Sequence, residues 1–317
     1  EKFNPKKIDF YEIKNSKKIC DLEISKFNSE NCKYTTLKRS KLLQFLINGL
    51  KEETIKYNYS INKIKYDKNL INLIFDNGEK KTFDYLIIAD GVFSKCKSLI
   101  SANQSNAIYN NSVAIRGNIS QNNLQNLNKE NISLFLGPDF HYVLYPLSNN
   151  NKAFNFIGVL KYKLTVNELN NYEFFNEEPF IEVIKDKLQN RVSNTILDNL
   201  NNIKCFPIFV SKDLYRPINN IFLVGDAFFA FPPSFAQGAS QSIEGASELF
   251  NNITDGKNDF YNKRIKRVKM INTRSKLNQF AFHLSNPILI FFRNIILKIL
   301  VKNKNFLENY LGKIYKN

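Results

Sequence analysis

Between positions 37 and 50 apolar residues recur at spacings of three and four, so that Leu42, Leu43, Leu46, Ile47 and Leu50 share one face. That spacing predicts an amphipathic helix. Extended segments are predicted at 55–59, 61–66, 70–75 and 82–88, and the last two are joined by Asp76-Asn77-Gly78, residue types that tolerate positive φ. A second strand-rich stretch follows, with strands expected at 113–119, 133–136, 142–147 and 154–160. Residues 166–200 carry a helical pattern that Pro179 is expected to break. A strand at 203–210, a short apolar strand at 221–224 and two or three helices over 237–317 complete the reading. Positions 1–36 are polar, with an extended piece at 7–11. Strand–helix alternation at both ends of a strand-rich middle predicts an α/β domain interrupted by a second, sheet-based domain.

Composition narrows the class. A chain of 317 residues that is 43% apolar and 23% charged can bury a sizeable core. Cys20, Cys32, Cys96 and Cys205 lie far apart without a CxxC spacing, which excludes a zinc ribbon and a dense disulfide framework. His141 and His283 are too few and too separated in sequence for a His-rich metal site, so no metal is expected. No run of 18 uncharged apolar residues exists, so no transmembrane helix is expected. The net charge of +16 is uneven: residues 261–317 hold 13 Lys/Arg against one acid, Glu308. Asn, Lys, Ile and Phe are abundant throughout, a bias that A/T-rich codons produce, and it accounts for part of the basicity. Two readings of the basic segment stay open, a solvated helix face and a face turned to acidic lipid. The nearly apolar stretch 287–301, interrupted by Arg293 and Lys298, is open in the same way, as a core helix or an interfacial one.

The most informative stretch runs from Ile221 to Ala246. A buried strand ends at Gly225-Asp226, a loop carries Pro232-Pro233, and small residues from Ala236 to Ser240 open a helix. Its buried face is expected at Ile243, Ala246, Leu249 and Phe250. Small side chains allow a ligand to approach the backbone, and a helix N-terminus suits a negatively charged ligand atom. Asp226 stands at the carboxyl end of a strand, where open α/β sheets place ligand contacts. Read without further context, the stretch is equally an ordinary strand–loop–helix connection.

This stretch resembles the second flavin-binding motif of the FAD-dependent aromatic hydroxylases, the group of p-hydroxybenzoate hydroxylase and the ubiquinone-biosynthesis monooxygenases. The family pattern is G-D-A-x-H, then P-P, then G-Q-G-x-N and an acid near the helix middle. Gly225, Asp226, Ala227, Pro232, Pro233, Gln237, Gly238 and Glu244 fall in matching places. The resemblance implies that Asp226 accepts a hydrogen bond from the ribityl chain of FAD. It also implies that the helix start at Ala236, Gln237, Gly238 and Ala239 faces the isoalloxazine edge that gains negative charge on reduction. Upstream, residues 83–97 resemble the family's D-G motif, with Asp90-Gly91 turning the chain and Ser94 placed to cap the next helix. Arg39 and Leu42 resemble an R-x-x-L helix start whose Arg contacts FAD. Residues 274–278 and 282–285 are similar to the helix after the flavin domain of ubiquinone-type hydroxylases. Together these matches span about 37–300.

Departures accompany the matches. No G-x-G-x-x-G is present, so the resemblance implies that a βαβ unit of about 30 residues, which would hold the ADP half of FAD, precedes this chain. Phe229 stands where the family has His, and Ala236 and Ser240 replace Gly and Asn. Residues 137–147 resemble the strand above the flavin, which makes His141, Tyr142 and Tyr145 candidate substrate-pocket residues. Aromatic cross-strand packing is the plainer reading of each. No catalytic acid, base or nucleophile is assigned.

The implied fold is α/β, a partial FAD/NAD(P)-binding Rossmann-like domain with an inserted sheet-based substrate domain and C-terminal helices. The boundaries read as a connector at 1–36, flavin-domain parts at 37–106 and 206–260, a substrate domain at 107–205 and basic helices at 261–317. The implied activity is hydroxylation of an aromatic or quinone-precursor substrate, with FAD as cofactor, NAD(P)H as reductant and O2 as oxidant. Alternatives are a flavin halogenase or prenyl reductase on the same scaffold, or an inactive basic protein docking on a membrane or nucleic acid. The partner expected is a small aromatic or quinone-like molecule and no nucleic acid. The expected location is cytoplasmic, with the C-terminal helix available for the inner face of the membrane.

Overall fold

The computed structural model describes residues 2–315, apart from 31–32, 102–106, 125–126, 148–152, 172, 218–219 and 258; Cys32 lies outside the described residues. In chain order, β1 (Lys7–Glu12) and β2 (Lys18–Glu23) precede α1 (Arg39–Ile47). Then β3 (Ile61–Asp67), β4 (Leu70–Phe75), β5 (Lys80–Phe83) and β6 (Leu86–Ile88) lead to α2 (Lys95–Ile100). The strands β7 (Ala107–Ser120), β8 (Ile132–Gly137), β9 (Phe140–Pro146) and β10 (Ala153–Lys161) come next, followed by α3 (Val166–Asn170), α4 (Glu178–Leu188) and α5 (Asn194–Leu197). The chain continues through β11 (Asn201–Ser211), β12 (Ile221–Leu223), α6 (Gly225–Phe229) and α7 (Gly238–Thr254) to α8 (Phe260–Phe282), α9 (Pro287–Leu300) and α10 (Lys304–Leu307).

This is a mixed α/β protein, and most strands fall where alternation places them. Several local expectations fail, and the strand expected at 82–88 is two, β5 pairing with β4 and β6 with β12. Residues 55–59 form no strand: Asn58 takes φ of 61°, which ends extended pairing. Pro179 does not break a helix but lies in the first turn of α4, where its missing N–H costs nothing.

The chain divides into two compact units, one of Glu1–Leu50, Asn111–Pro207 and Phe280–Asn317 and the other of Lys51–Asn110 and Ile208–Gln279. The first unit is built on a seven-stranded sheet of order β11-β7-β10-β9-β8-β1-β2, in which β7–β10, β10–β9, β9–β8 and β1–β2 pair antiparallel and β1–β8 pairs parallel. One face is apolar. Val113 and Ile115 of β7, Tyr142 and Leu144 of β9 and Phe154 and Phe156 of β10 pack there with Phe180, Ile184 and Leu188 of α4. Rings stack along it, Phe135 on Tyr142 at 4.4 Å and Tyr142 near Phe156 at 5.3 Å between centroids. The amphipathic face expected on α1 is largely uncovered: Leu42 is half-buried and Leu43, Leu46, Ile47 and Leu50 are exposed. Periodicity there specified the helix and not what packs on it.

The second unit contains an antiparallel sheet, β3-β4-β5, and a parallel pair, β6 and β12. Its core gathers Ile71 and Leu73 of β4, Ile88, Leu223, Phe228 and Leu249. Gly78 (φ 83°) closes the β4–β5 turn at the expected Asp-Asn-Gly, with its N–H donating to the Phe75 carbonyl at 2.9 Å. Three described thiols are free, and burial raises their pKa values, Cys20 to about 11 and Cys96 and Cys205 to about 12.

A buried charge cluster fixes α7 to α8. Arg264, almost wholly buried, donates to the Gln241 carbonyl at 2.6 Å, to Gln241 Oε1 at 2.7 Å and to Glu244 Oε1 at 2.9 Å. Arg267 grips the same carboxylate at 2.7 and 2.8 Å. Burial alone would raise the Glu244 pKa, but the hydrogen bonds and charges of Arg267 and Arg264 outweigh it and hold the group below the usual range. Gly245 admits this approach, since a Cβ there would stand 3.2 Å from Arg264 Nε. Removing one partner strands a buried charge, so Arg264→Met is expected to cost about 3–5 kcal/mol in urea unfolding, against less than about 1 kcal/mol for the exposed Lys263→Met.

Candidate functional site

The parallel pair β6–β12 brings the two sequence motifs together. Ile221, Phe222 and Leu223 pair with Leu86, Ile87 and Ile88, and the Val224 N–H donates to the Ile88 carbonyl at 3.0 Å. Beyond each strand's carboxyl end a glycine turns left-handed, Gly91 at φ 85° and Gly225 at φ 58°. A Cβ on Gly225 would meet Ser242 Oγ at 2.9 Å, so the position is closed to larger residues by both conformation and space. Asp226 follows, exposed, in the first turn of the short α6. After β6, Asp90 Oδ2 accepts from the Cys96 N–H at 3.0 Å, and Ser94 caps α2 by accepting from the Lys97 N–H at 3.0 Å. Lys97 Nζ then reaches across to donate to the Ala227 carbonyl at 3.2 Å. This buried lysine, its pKa lowered by burial, joins the two motifs across 130 residues.

Downstream, Phe229 is buried in the core, and the chain passes through Pro232 and Pro233 to Ala236, whose φ is 51°. Gln237 is buried and its Oε1 accepts from Gln241 Nε2 at 3.1 Å. The first turn of α7 carries no side-chain cap, and Gly238, Ala239 and Ser240 are exposed, with open space where a Gly238 Cβ would be. The face expected to be buried is corrected. Ile243 (47%) and Phe250 (67%) are exposed, as is Ala246; Gln241, Gly245, Leu249 and Asn252 point inward. The polar ties to Arg264 decide the helix's rotation, and of the four predicted positions they leave only Leu249 buried.

These residues fit a flavin on their exposed side. The crevice between α6 and α7, lined by Gly225, Asp226, Gln241, Ser242 and Arg264, measures about 10 Å³ and holds no more than a water. Outside it, a strand end, an exposed carboxylate and an uncapped helix start follow one another along the chain, with open space at the Gly238 Cβ position. Ser234 Oγ, in the turn before α7, is buried with no hydrogen-bond partner among the described residues, a capacity that a ligand or water would satisfy.

The remaining candidates lie in the first unit. Arg39 is exposed at the first residue of α1. His141 and Tyr145 share one face of β9, while Tyr142 points to the opposite face, into the aromatic core. Tyr145 is half-buried and its hydroxyl accepts from Asn155 Nδ2 at 2.7 Å. His141 is buried, and its Nδ1 lies 2.7 Å from His283 Nε2, so one neutral imidazole donates to the other. The 142 residues between these histidines concealed the pair in the sequence. Sequence reasoning also missed Lys97, Arg264 and Arg267, for which no spacing separates them from the other basic residues.

No known family profile matches the sequence. The chain is similar in fold to several solved structures. One is HpxO of Klebsiella pneumoniae complexed with FAD and uric acid, with a TM-score of 0.81, 14% identity, and coverage of 99% of this chain and 81% of that one. A salicylate hydroxylase substrate complex aligns with a TM-score of 0.77 and 15% identity over 99% of this chain and 83% of that one. The p-nitrophenol 4-monooxygenase PnpA of Pseudomonas putida DLL-E4 gives 0.74 and 13% over 98% and 80%. The fold of this chain is thus the one these proteins share.

Two outcomes follow from the local geometry. Ala236→Gly, which relieves a left-handed alanine, is expected to stabilise the protein by about 1 kcal/mol in urea unfolding. The histidine pair makes stability depend on pH. Burial lowers the pKa of His283 from 6.5 to about 4, and burial and then the His283 charge lower that of His141. Unfolded histidines therefore bind protons that the folded pair refuses, and stability present at neutral pH is lost as pH falls from about 6.5 through about 4. Unfolding free energy is expected to fall by on the order of 3 kcal/mol between about pH 7.5 and pH 4 in the native protein, and less when both histidines are replaced by Phe.

Proposed function

We propose that this protein is an FAD-dependent hydroxylase of small aromatic or quinone-precursor rings, with NAD(P)H as reductant. The observation that carries the reading is the Gly225 turn, with Asp226 exposed beside the uncapped start of α7, on a fold of the kind HpxO presents with FAD and uric acid. When bound, FAD would supply the redox chemistry of such a reaction, which needs electrons from NAD(P)H and one oxygen atom of O2.

The protein's own residues position and tune. Asp226 accepts hydrogen bonds from the polyol chain of the cofactor. The left-handed Gly225 and the small residues Gly238 and Ala239 let the cofactor reach backbone N–H groups. The first turn of α7 stabilises negative charge as it develops, because its N–H groups and the helix dipole are fixed before the reaction. Pro233, Ala236 and Gln237 hold the loop that aims this turn, and Asp90 and Gly91 set the neighbouring strand end. Arg39 is a further cofactor contact in this reading. For the substrate, His141 and Tyr145 share the face of β9 on which an electron-rich ring would be held, with Tyr145 the half-exposed member, while Tyr142 anchors that strand from the core side. The uric acid bound in HpxO supports a small electron-rich ring as the substrate class.

Titrating the purified protein with FAD is expected to quench flavin fluorescence and shift its visible absorbance. Asp226→Ala should weaken that binding by about tenfold or more, the loss of a charged hydrogen bond, without changing the urea midpoint. No flavin binding, or binding indifferent to Asp226→Ala, would overturn the proposal.

A further inference from the structure

The helix α9 is turned inside out for a helix packed on a protein. Its inward residue is a charged one: Arg293 is 6% exposed and donates to the Ala281 carbonyl at 3.4 Å and to Asn294 Oδ1 at 2.8 Å. Asn294 in turn donates to Glu12 of β1. Its outward face is apolar. Ile288, Phe291, Phe292, Ile295, Ile296 and Ile299 are all exposed, Phe291 at 62% and Phe292 at 53%. Spacings of three and four put them on one broad stripe more than three turns long. An ordinary surface helix does the reverse, and a contiguous apolar patch of this kind marks an interaction surface.

Charge identifies what the stripe meets. Lys298, Lys302 and Lys304 are exposed at the carboxyl end of the stripe and just beyond it. From 261 to 307 the sequence contains no Asp or Glu at all. No helix among the described residues is long and apolar enough to cross a membrane, which leaves α9 the length and polarity of a helix that lies in an interface. We propose that α9 docks the protein on an anionic lipid surface, its Ile and Phe side chains entering the acyl boundary and its lysines facing lipid phosphates. A second copy of this chain would also bury the apolar stripe, but of the acids beside its lysines Asp21 is already paired with Lys7 and Lys18 and Glu23 with Lys26, so the joint would set lysines largely against lysines. The polar ties of Arg293 and Asn294 to the sheet hold the helix with this face outward before any lipid is met.

Co-sedimentation with vesicles tests this. The purified protein is expected to pellet with vesicles containing about 30% phosphatidylglycerol and to remain in solution with pure phosphatidylcholine, and high salt should release it. Phe291→Ser with Phe292→Ser should lower the bound fraction about tenfold, and Lys298→Glu with Lys302→Glu should lower it several-fold on anionic vesicles. Both pairs lie on the exposed surface, so the urea midpoint should be unchanged; if the Phe pair does not fold, Ile288→Ser with Ile295→Ser replaces it. Failure to pellet with anionic vesicles would overturn the proposal, as would pelleting indifferent to the α9 substitutions or to lipid charge. Concentration-dependent self-association removed by the same substitutions, without vesicle binding, would overturn it in favour of a second copy.

Discussion

A strand that ends in the open must hand its chain to a helix without covering its own carboxyl end, and in the second unit a left-handed residue accomplishes this. Gly225 at φ 58° rotates the backbone out of β12 so that α6 starts at once, Ala227 and Phe228 enter the core, and Asp226 is left outside. Any side chain at position 225 would collide with Ser242 and force α6 and α7 apart. The same device recurs at Gly91 after β6, and because β6 and β12 are parallel neighbours the two turns open on the same side. Lys97 ties the second turn to the first through the Ala227 carbonyl. The candidate cofactor surface is the product of these two turns, not of a large cavity.

What fixes α7 against that surface is electrostatic. Its inward positions include Gln241 and Gly245, chosen by the approach of Arg264, and its outward positions include Ile243 and Phe250. The arrangement costs desolvation of an arginine and a carboxylate, which the bidentate grip of Arg267 and the carbonyl of Gln241 offset. A helix held by directional bonds has one rotation about its axis, whereas an apolar stripe tolerates slippage. The fixed rotation also determines where the first turn of α7 points.

Much of this was legible in the order of residues. Strand positions followed from alternation, the Ser94 cap from its place after Asp90-Gly91, and the Gly78 turn from its flanking strands. The turns at Gly91 and Gly225 were legible because sterics confine left-handed backbone to a few residue types. Less was legible where a side chain's partner is distant. The hydrophobic count on α7 pointed to the wrong face because it assigns no weight to a buried arginine 20 residues further on. The same count on α1 and α9 specified helices and was silent on what covers them. His141 and His283 looked isolated because contact between β9 and the end of α8 is a property of topology, which no local pattern encodes.

The free thiols, Cys205 buried and Cys20 and Cys96 half-buried, share one property. With pKa values of about 11 to 12, Cys20, Cys96 and Cys205 exist at neutral pH almost wholly as the protonated form, on the order of one anion in ten thousand or fewer. Peroxide attacks the anion, so these sulfurs sit below the first rung of the oxidation ladder. An oxidant that reaches these positions therefore meets sulfur in its protonated, weakly nucleophilic form.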